Sequence, residues 1–151
     1  MALKTFIVED EIMAQKSLIR TLNQNFPDLE IVGTATSVTG AVAWLRNPEN
    51  HADIIFMDVE LSDGVCFEIF RQIEVKAKVI MTTAYDSYAL KAFEAGSVDY
   101  LLKPVDKERL FASLDRALRA IGNRKEKSFI VKRGMSTTKA KSISVKYVDT
   151  S

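Results

Sequence analysis

The stretch IIFMDVELSDG, residues 54–64, narrows the choice of fold more than any other part of the chain. Ile54 to Met57 are apolar without alternation, so a strand built from them has no face for water and needs cover on both sides. A parallel sheet between two helical layers provides that cover. The run then meets Asp58 and breaks, at the carboxyl end of the strand, where such sheets place their ligands.

The remaining pattern agrees. KTFIV, LEIVGTA, KVIMTT and VDYLL read as four more short strands. Helix-periodic segments separate them. In EIMAQKSLIRTLNQNF the stripe is Ile12, Leu18, Ile19, Leu22 and Phe26, ended by Pro27 and Asp28; SVTGAVAWLRN opens on Ser37 as N-cap. VCFEIFRQI has Val65, Ile69 and Ile73 at helical spacing with Phe67 and Phe70 beside them, and SYALKAFEAG closes on Gly96. The last helix, DKERLFASLDRALRAIG, has Asp106 as N-cap and Leu110, Phe111, Leu114, Ala117, Leu118 and Ile121 along one side. Five strands alternating with five helices predict an α/β domain with a doubly wound, five-stranded parallel sheet.

The 151 residues suit one such domain and a modest extra piece. Cys66 and His51 are each the sole residue of their type, which excludes an intramolecular disulfide and a multi-cysteine metal site. Cys66 reads as a small half-buried side chain and His51 as a solvated loop residue rather than a ligand or base. The N-terminus MALKTFIVED has no charged region leading into a long apolar stretch, and no apolar run approaches the roughly 20 residues of a membrane span, so the chain reads as cytoplasmic. Charge is uneven: residues 124–151 carry 8 Lys and Arg against 2 acids, whereas the preceding residues carry 13 against 18. The basic segment contains two strand-like stretches, SFIVKRG and SISVKYV, which alone bury too little to be stable. As a terminal segment it reads as solvated; direct DNA binding by it would show a steep salt dependence.

In a parallel sheet the strand ends gather Glu9, Asp10 and Glu11 from VEDE, Asp58, Thr82 and Thr83, and Lys103-Pro104 into one crevice. Adjacent carboxylates repel unless they share a cation, and Mg²⁺ suits a few carboxylates plus a phosphate. VEDE alone equally suits the start of a helix, at its positive dipole end. Asp58, placed by rigid backbone at the close of an apolar strand, is a candidate nucleophile toward phosphorus. Lys103 is a candidate for charge neutralisation and Thr83 for donation of a hydrogen bond to phosphate.

As an ordered set, Glu9-Asp10, Asp58, Thr83-Ala84 and the DYLLKP segment ending in Lys103-Pro104 resemble the receiver domain of two-component response regulators. The resemblance covers residues 1–122 and implies a (βα)5, flavodoxin-like fold of strand order 2-1-3-4-5. It implies a phosphoacceptor signalling domain, not an enzyme beyond its own phosphorylation and dephosphorylation chemistry, that is served by a sensor histidine kinase. Asp58 would be the phosphoacceptor; Glu9, Asp10, Asp58 and the backbone carbonyl of Glu60 would hold Mg²⁺. Thr83 would be the switch hydroxyl, Lys103 the phosphate-binding ammonium, and Tyr100 the aromatic that turns as Thr83 moves inward, with Lys103-Pro104 a cis peptide. A face of strands four and five that forms a homodimer on phosphorylation is usual in the family.

TTAYDSYALKAFEAGSVDYLLKP is closer still to receivers attached to LytTR-type DNA-binding domains, and SFIVKRG resembles the opening of such a domain. Residues 123–151 then read as a basic linker and the partial start of an output domain for transcription control, too short to contain it, so that any DNA contact belongs to a domain missing or truncated here. The chain departs from the family pattern after Asp58. Ser62 stands where many receivers have proline, and the loop to Gly64 is one residue shorter. Glu60 and Tyr85 occupy the two positions that modulate phosphate loss. A haloacid-dehalogenase-like phosphatase would need a second Asp where Glu60 stands, and a flavin-binding module would need anion donors where VEDE stands. A receiver-shaped interaction module that is never phosphorylated is the remaining alternative.

Overall fold

A computed structural model describes residues 2–122 of the chain; the expected linker and output-domain start, 123–151, lie outside the described residues. The strands are β1 (Leu3–Val8), β2 (Leu29–Ala35), β3 (Ile54–Asp58), β4 (Lys78–Thr83) and β5 (Asp99–Leu102). The helices are α1 (Ile12–Asn25), α2 (Val38–Arg46), α3 (Phe67–Gln72), α4 (Ala89–Glu94) and α5 (Lys107–Ile121). All five strands pair in parallel in the order β2-β1-β3-β4-β5, the predicted doubly wound arrangement.

The strand β3 shows why its sequence needed two covers. Ile54 and Phe56 face one core, with Leu22 of α1, Phe26 just beyond its end, and Leu110, Leu114 and Leu118 of α5. Ile55 and Met57 face the other, with Val38, Ala41 and Val42 of α2 and Phe67 and Ile69 of α3. All four are fully buried. Expected caps form: the Ser37 hydroxyl accepts the Gly40 N–H at 2.9 Å, and the Asp106 carboxylate accepts that of Arg109 at 3.3 Å. Gly96 closes α4 with φ +84°.

Three helix expectations need correction. Val65 does not belong to α3; Gly64–Val65 pairs antiparallel with Glu60–Leu61, and the Cys66 N–H bonds the Val59 carbonyl, so the helix starts only at Phe67. The SYALKAFEAG segment begins as a 3-10 turn, Asp86–Tyr88, before α4, and the Tyr88 N–H donates to the Tyr100 hydroxyl at 3.2 Å. Ile12, counted in the buried stripe of α1, is 48% exposed, at the first position of the helix. Cys66 is fully rather than half buried, and His51 is exposed, its Nε2 2.9 Å from Asp53 Oδ1.

At Gly33 the backbone comes close to a ring. Val32 is the extra residue of a bulge opposite Thr5 and Phe6, and a Cβ on Gly33 would sit 2.5 Å from Trp44 Nε1. The indole cannot withdraw, because it stacks on Phe6 with centroids 4.0 Å apart. Gly33→Ala is expected to lower stability by about 1–3 kcal/mol, read by denaturant melts and by the fluorescence of Trp44, the sole tryptophan. Burial above all, and the charges of Asp58 and Glu60, push the Cys66 thiol up to about 12. It is expected to resist thiol reagents at pH 8 in the folded protein and to react fully in denaturant.

Candidate functional site

Register sets the site. Val8 pairs with Met57 and Asp58 with Thr82, while Thr83 pairs with Leu102, so β1, β3, β4 and β5 deliver their following residues to one edge. Glu9 is buried and held at three points: its backbone N–H bonds the Ala35 carbonyl at 2.9 Å, its carbonyl accepts the Gln15 amide at 3.2 Å, and its Oε2 accepts the Glu11 N–H at 3.1 Å. Asp58 is 4% exposed. Carboxylate oxygens of Glu9, Asp10 and Asp58 lie within 4.8 Å of one another.

One ammonium serves the two buried acids. Lys103 Nζ lies 2.8 Å from Glu9 Oε1 and 3.0 Å from Asp58 Oδ2. The Lys103–Pro104 peptide that places it is cis. Burial would lower the Lys103 pKa, but the two carboxylates hold it above its ordinary value. Burial would raise Glu9, yet its bonds to Lys103 and the Glu11 N–H bring it below the usual carboxylate range. Asp58 receives less: burial first, and the Glu9 carboxylate with it, outweigh Lys103 and push it up to about 7. Asp10, exposed at the mouth, is raised by desolvation and by Glu9. A single cation shared between two carboxylates neutralises one and leaves the other short of positive charge.

The loop after Asp58 is tethered on the opposite side. Asp63 turns the hairpin between Glu60–Leu61 and Gly64–Val65, with Gly64 at φ +149°, a conformation that side chains rarely tolerate. The Asp63 carboxylate accepts the N–H groups of Val38 at 2.6 Å and Thr39 at 3.1 Å and the Thr39 hydroxyl at 2.9 Å, which holds its carboxyl below the ordinary range. Ser62 donates to the Thr36 carbonyl at 3.2 Å. Thus α2 is capped from inside by Ser37 and from outside by a residue of the neighbouring loop.

On the β4 side, the Thr83 hydroxyl donates to the Glu60 carboxylate, and Tyr85 N–H donates to Thr83 Oγ1 at 3.1 Å. The Tyr100 hydroxyl donates to the Tyr85 carbonyl. The structure therefore brings Glu9, Asp10, Asp58 and Lys103 together, while Thr83 and Tyr100 are engaged beside them. The Glu60 backbone lies against the site, its N–H donating to Asp58 Oδ1 at 3.3 Å. Sequence reasoning missed Gln15, Asp63 and the contact of the Glu60 side chain with Thr83. The Ser37 cap signature with Asp63-Gly64 as turn material hinted at the second, but nothing local joins residues that far apart.

The model for the response regulator receiver domain matches residues 5–115. The chain belongs to the response regulator receiver domain family. This receiver is 38% identical over 117 residues to the sensory transduction protein LytT of Bacillus anthracis, covering 76% of this chain and 46% of that protein. It is equally similar, 38% over 119 residues, to the transcriptional regulatory protein BtsR of Salmonella typhi, covering 76% and 47%. The chain spans a little under half the length of these curated relatives. Among solved structures, the response regulatory domain of mrkE from Klebsiella pneumoniae superposes with a TM-score of 0.67 at 33% identity, covering 78% of this chain and 97% of that one. Among the described residues, no helix is long and apolar enough to cross a membrane.

Since Asp58 is raised, its contribution to stability is full below the ordinary carboxylate range and is lost as pH rises through about 7. In metal-free buffer Asp58→Asn is expected to raise the melting temperature by a few degrees at pH 8, and by less at pH 6, where the wild-type carboxyl is already protonated. An equal gain at both values would contradict an elevated Asp58.

Proposed function

We propose that this receiver accepts a phosphoryl group on Asp58 from a phosphohistidine of a sensor histidine kinase. The observation that carries this is a nearly buried Asp58 at a strand end, its oxygen 3.0 Å from Lys103 Nζ, with two more carboxylates within 4.8 Å. This donor set fits Mg²⁺: the acids outnumber the ammonium, all offer oxygen, and Asp58 is the one left under-neutralised. Glu9, Asp10, Asp58 and the Glu60 carbonyl would hold the ion. When bound, it supplies positive charge to the transferring phosphoryl oxygens.

The chain's own residues do the rest. An Asp58 oxygen forms the new P–O bond as the P–N bond to the donor imidazole breaks, and that bonding pair leaves on the imidazole nitrogen. Lys103, freed from Asp58, pairs with a phosphoryl oxygen. Thr83 donates its hydroxyl to another, and Tyr100 follows Thr83 inward. The change is read on the α4–β5 face, where Leu90, Phe93 and Leu102 are 67, 79 and 49% exposed, a surface suited to a second copy of the chain. In the full-length protein the readout would control transcription, as the name of the transcriptional regulatory protein BtsR supports, through a DNA-binding output domain of the LytTR type.

Incubation with acetyl phosphate and Mg²⁺ is expected to add one phosphoryl group by intact mass, lost on omission of Mg²⁺ and in Asp58→Asn. Lys103→Ala is expected to slow its formation at least tenfold. An adduct that survives Asp58→Asn, or the lack of any adduct, would overturn the assignment.

A further inference from the structure

The Thr83 hydroxyl has one proton to give, and it is already committed. Thr83 Oγ1 lies 3.0 and 2.8 Å from the two oxygens of Glu60 and accepts the Tyr85 N–H at 3.1 Å. Thr83 is fully buried, so its donor is not shared with bulk water and changes partner only by finding another acceptor. A phosphoryl oxygen on Asp58 would require that same proton. One donor and two anionic acceptors are in direct competition.

We propose that the Glu60 carboxylate is a latch that holds Thr83 off the phosphoryl site and so sets the gap between the resting and switched arrangements. The inference rests on the phosphoacceptor reading of Asp58. Glu60 acts through Thr83 and is a positioning residue.

Glu60 is well placed to hold. Its backbone is fixed by pairing with Val65, and its N–H donates to Asp58 Oδ1 at 3.3 Å. The latch also reaches the aromatic side. Tyr85 gives its N–H to Thr83 and its carbonyl to the Tyr100 hydroxyl, which in turn accepts the Tyr88 N–H at 3.2 Å. Freeing Thr83 removes one of the bonds that fix the Tyr85 backbone to which Tyr100 is tied. Phosphorylation loosens the latch in two ways. The new group, carrying roughly −1.5 to −2 charge two residues from Glu60, competes for the proton and repels the carboxylate that holds it.

The test uses beryllofluoride with Mg²⁺ as the probe, and ¹⁹F-labelled tyrosine with the Tyr100 signal assigned by Tyr100→Phe. Wild type is expected to bind the probe, and Glu60→Ala about tenfold more tightly, because a charge-assisted bond no longer competes. Glu60→Gln, whose amide oxygen accepts without charge, falls between. The probe-free Tyr100 signal of Glu60→Ala is expected to shift toward its probe-bound position. In a Thr83→Ala background the Glu60 substitution should give only the smaller gain due to relieved charge repulsion. Unchanged or weaker binding by Glu60→Ala, with wild type binding normally, overturns the latch and leaves the phosphoacceptor reading intact. A gain that persists in full without the Thr83 hydroxyl also overturns it, as it would reflect charge alone. Wild type that fails to bind beryllofluoride overturns the reading of the site, and the latch with it.

Discussion

Everything at the carboxyl edge of this sheet depends on one ammonium between two buried carboxylates. Lys103 reaches Glu9 and Asp58 together, and so joins the ends of β1, β3 and β5 across the sheet. Such a buried pair is poor evidence of stability, because removing the charges from water costs much of what their attraction returns. Its value here lies in imbalance. Glu9 is neutralised fully enough to stay ionised, while Asp58 remains short of positive charge. A site left in that condition favours an added cation and gives its lysine a reason to move once a better anion arrives.

The frame that holds this imbalance was largely legible in the chain. The unalternating Ile54–Met57 run required cover on both faces, and the two cores divide that strand residue by residue as required. Ser37 and Asp106 stood at helix starts for a local reason and cap as such. The gathering of Glu9, Asp10, Asp58 and Lys103 followed from parallel strands alone, since parallel register puts every carboxyl end at one edge.

What was not legible depends on partners distant in sequence. Val65 has helical spacing, but a two-residue ladder with Glu60 takes its backbone first. Tyr88 has helical spacing with α4, but it caps that helix and gives its N–H to a hydroxyl from β5. Cys66 looked half-buried by size and surroundings, yet the hairpin and α3 close over it completely. The Glu60 carboxylate carried no local sign that it would meet Thr83, because that contact exists only once β3 and β4 lie side by side. Periodicity reports which face is apolar; it is silent on which polar groups will meet above it.

The cap that Asp63 places on α2 gives the site a direction. With its carboxylate on the N–H groups of Val38 and Thr39, the loop beyond Asp58 is anchored to a helix seated in the core. On the other flank, α4 is six residues long and buries only Ala92. A group added at Asp58 would thus face a firmly tethered helix toward α2 and a short, sparsely buried one toward α4. The pin on the α2 side is a surface aspartate that lies outside the cluster of Glu9, Asp10, Asp58 and Lys103.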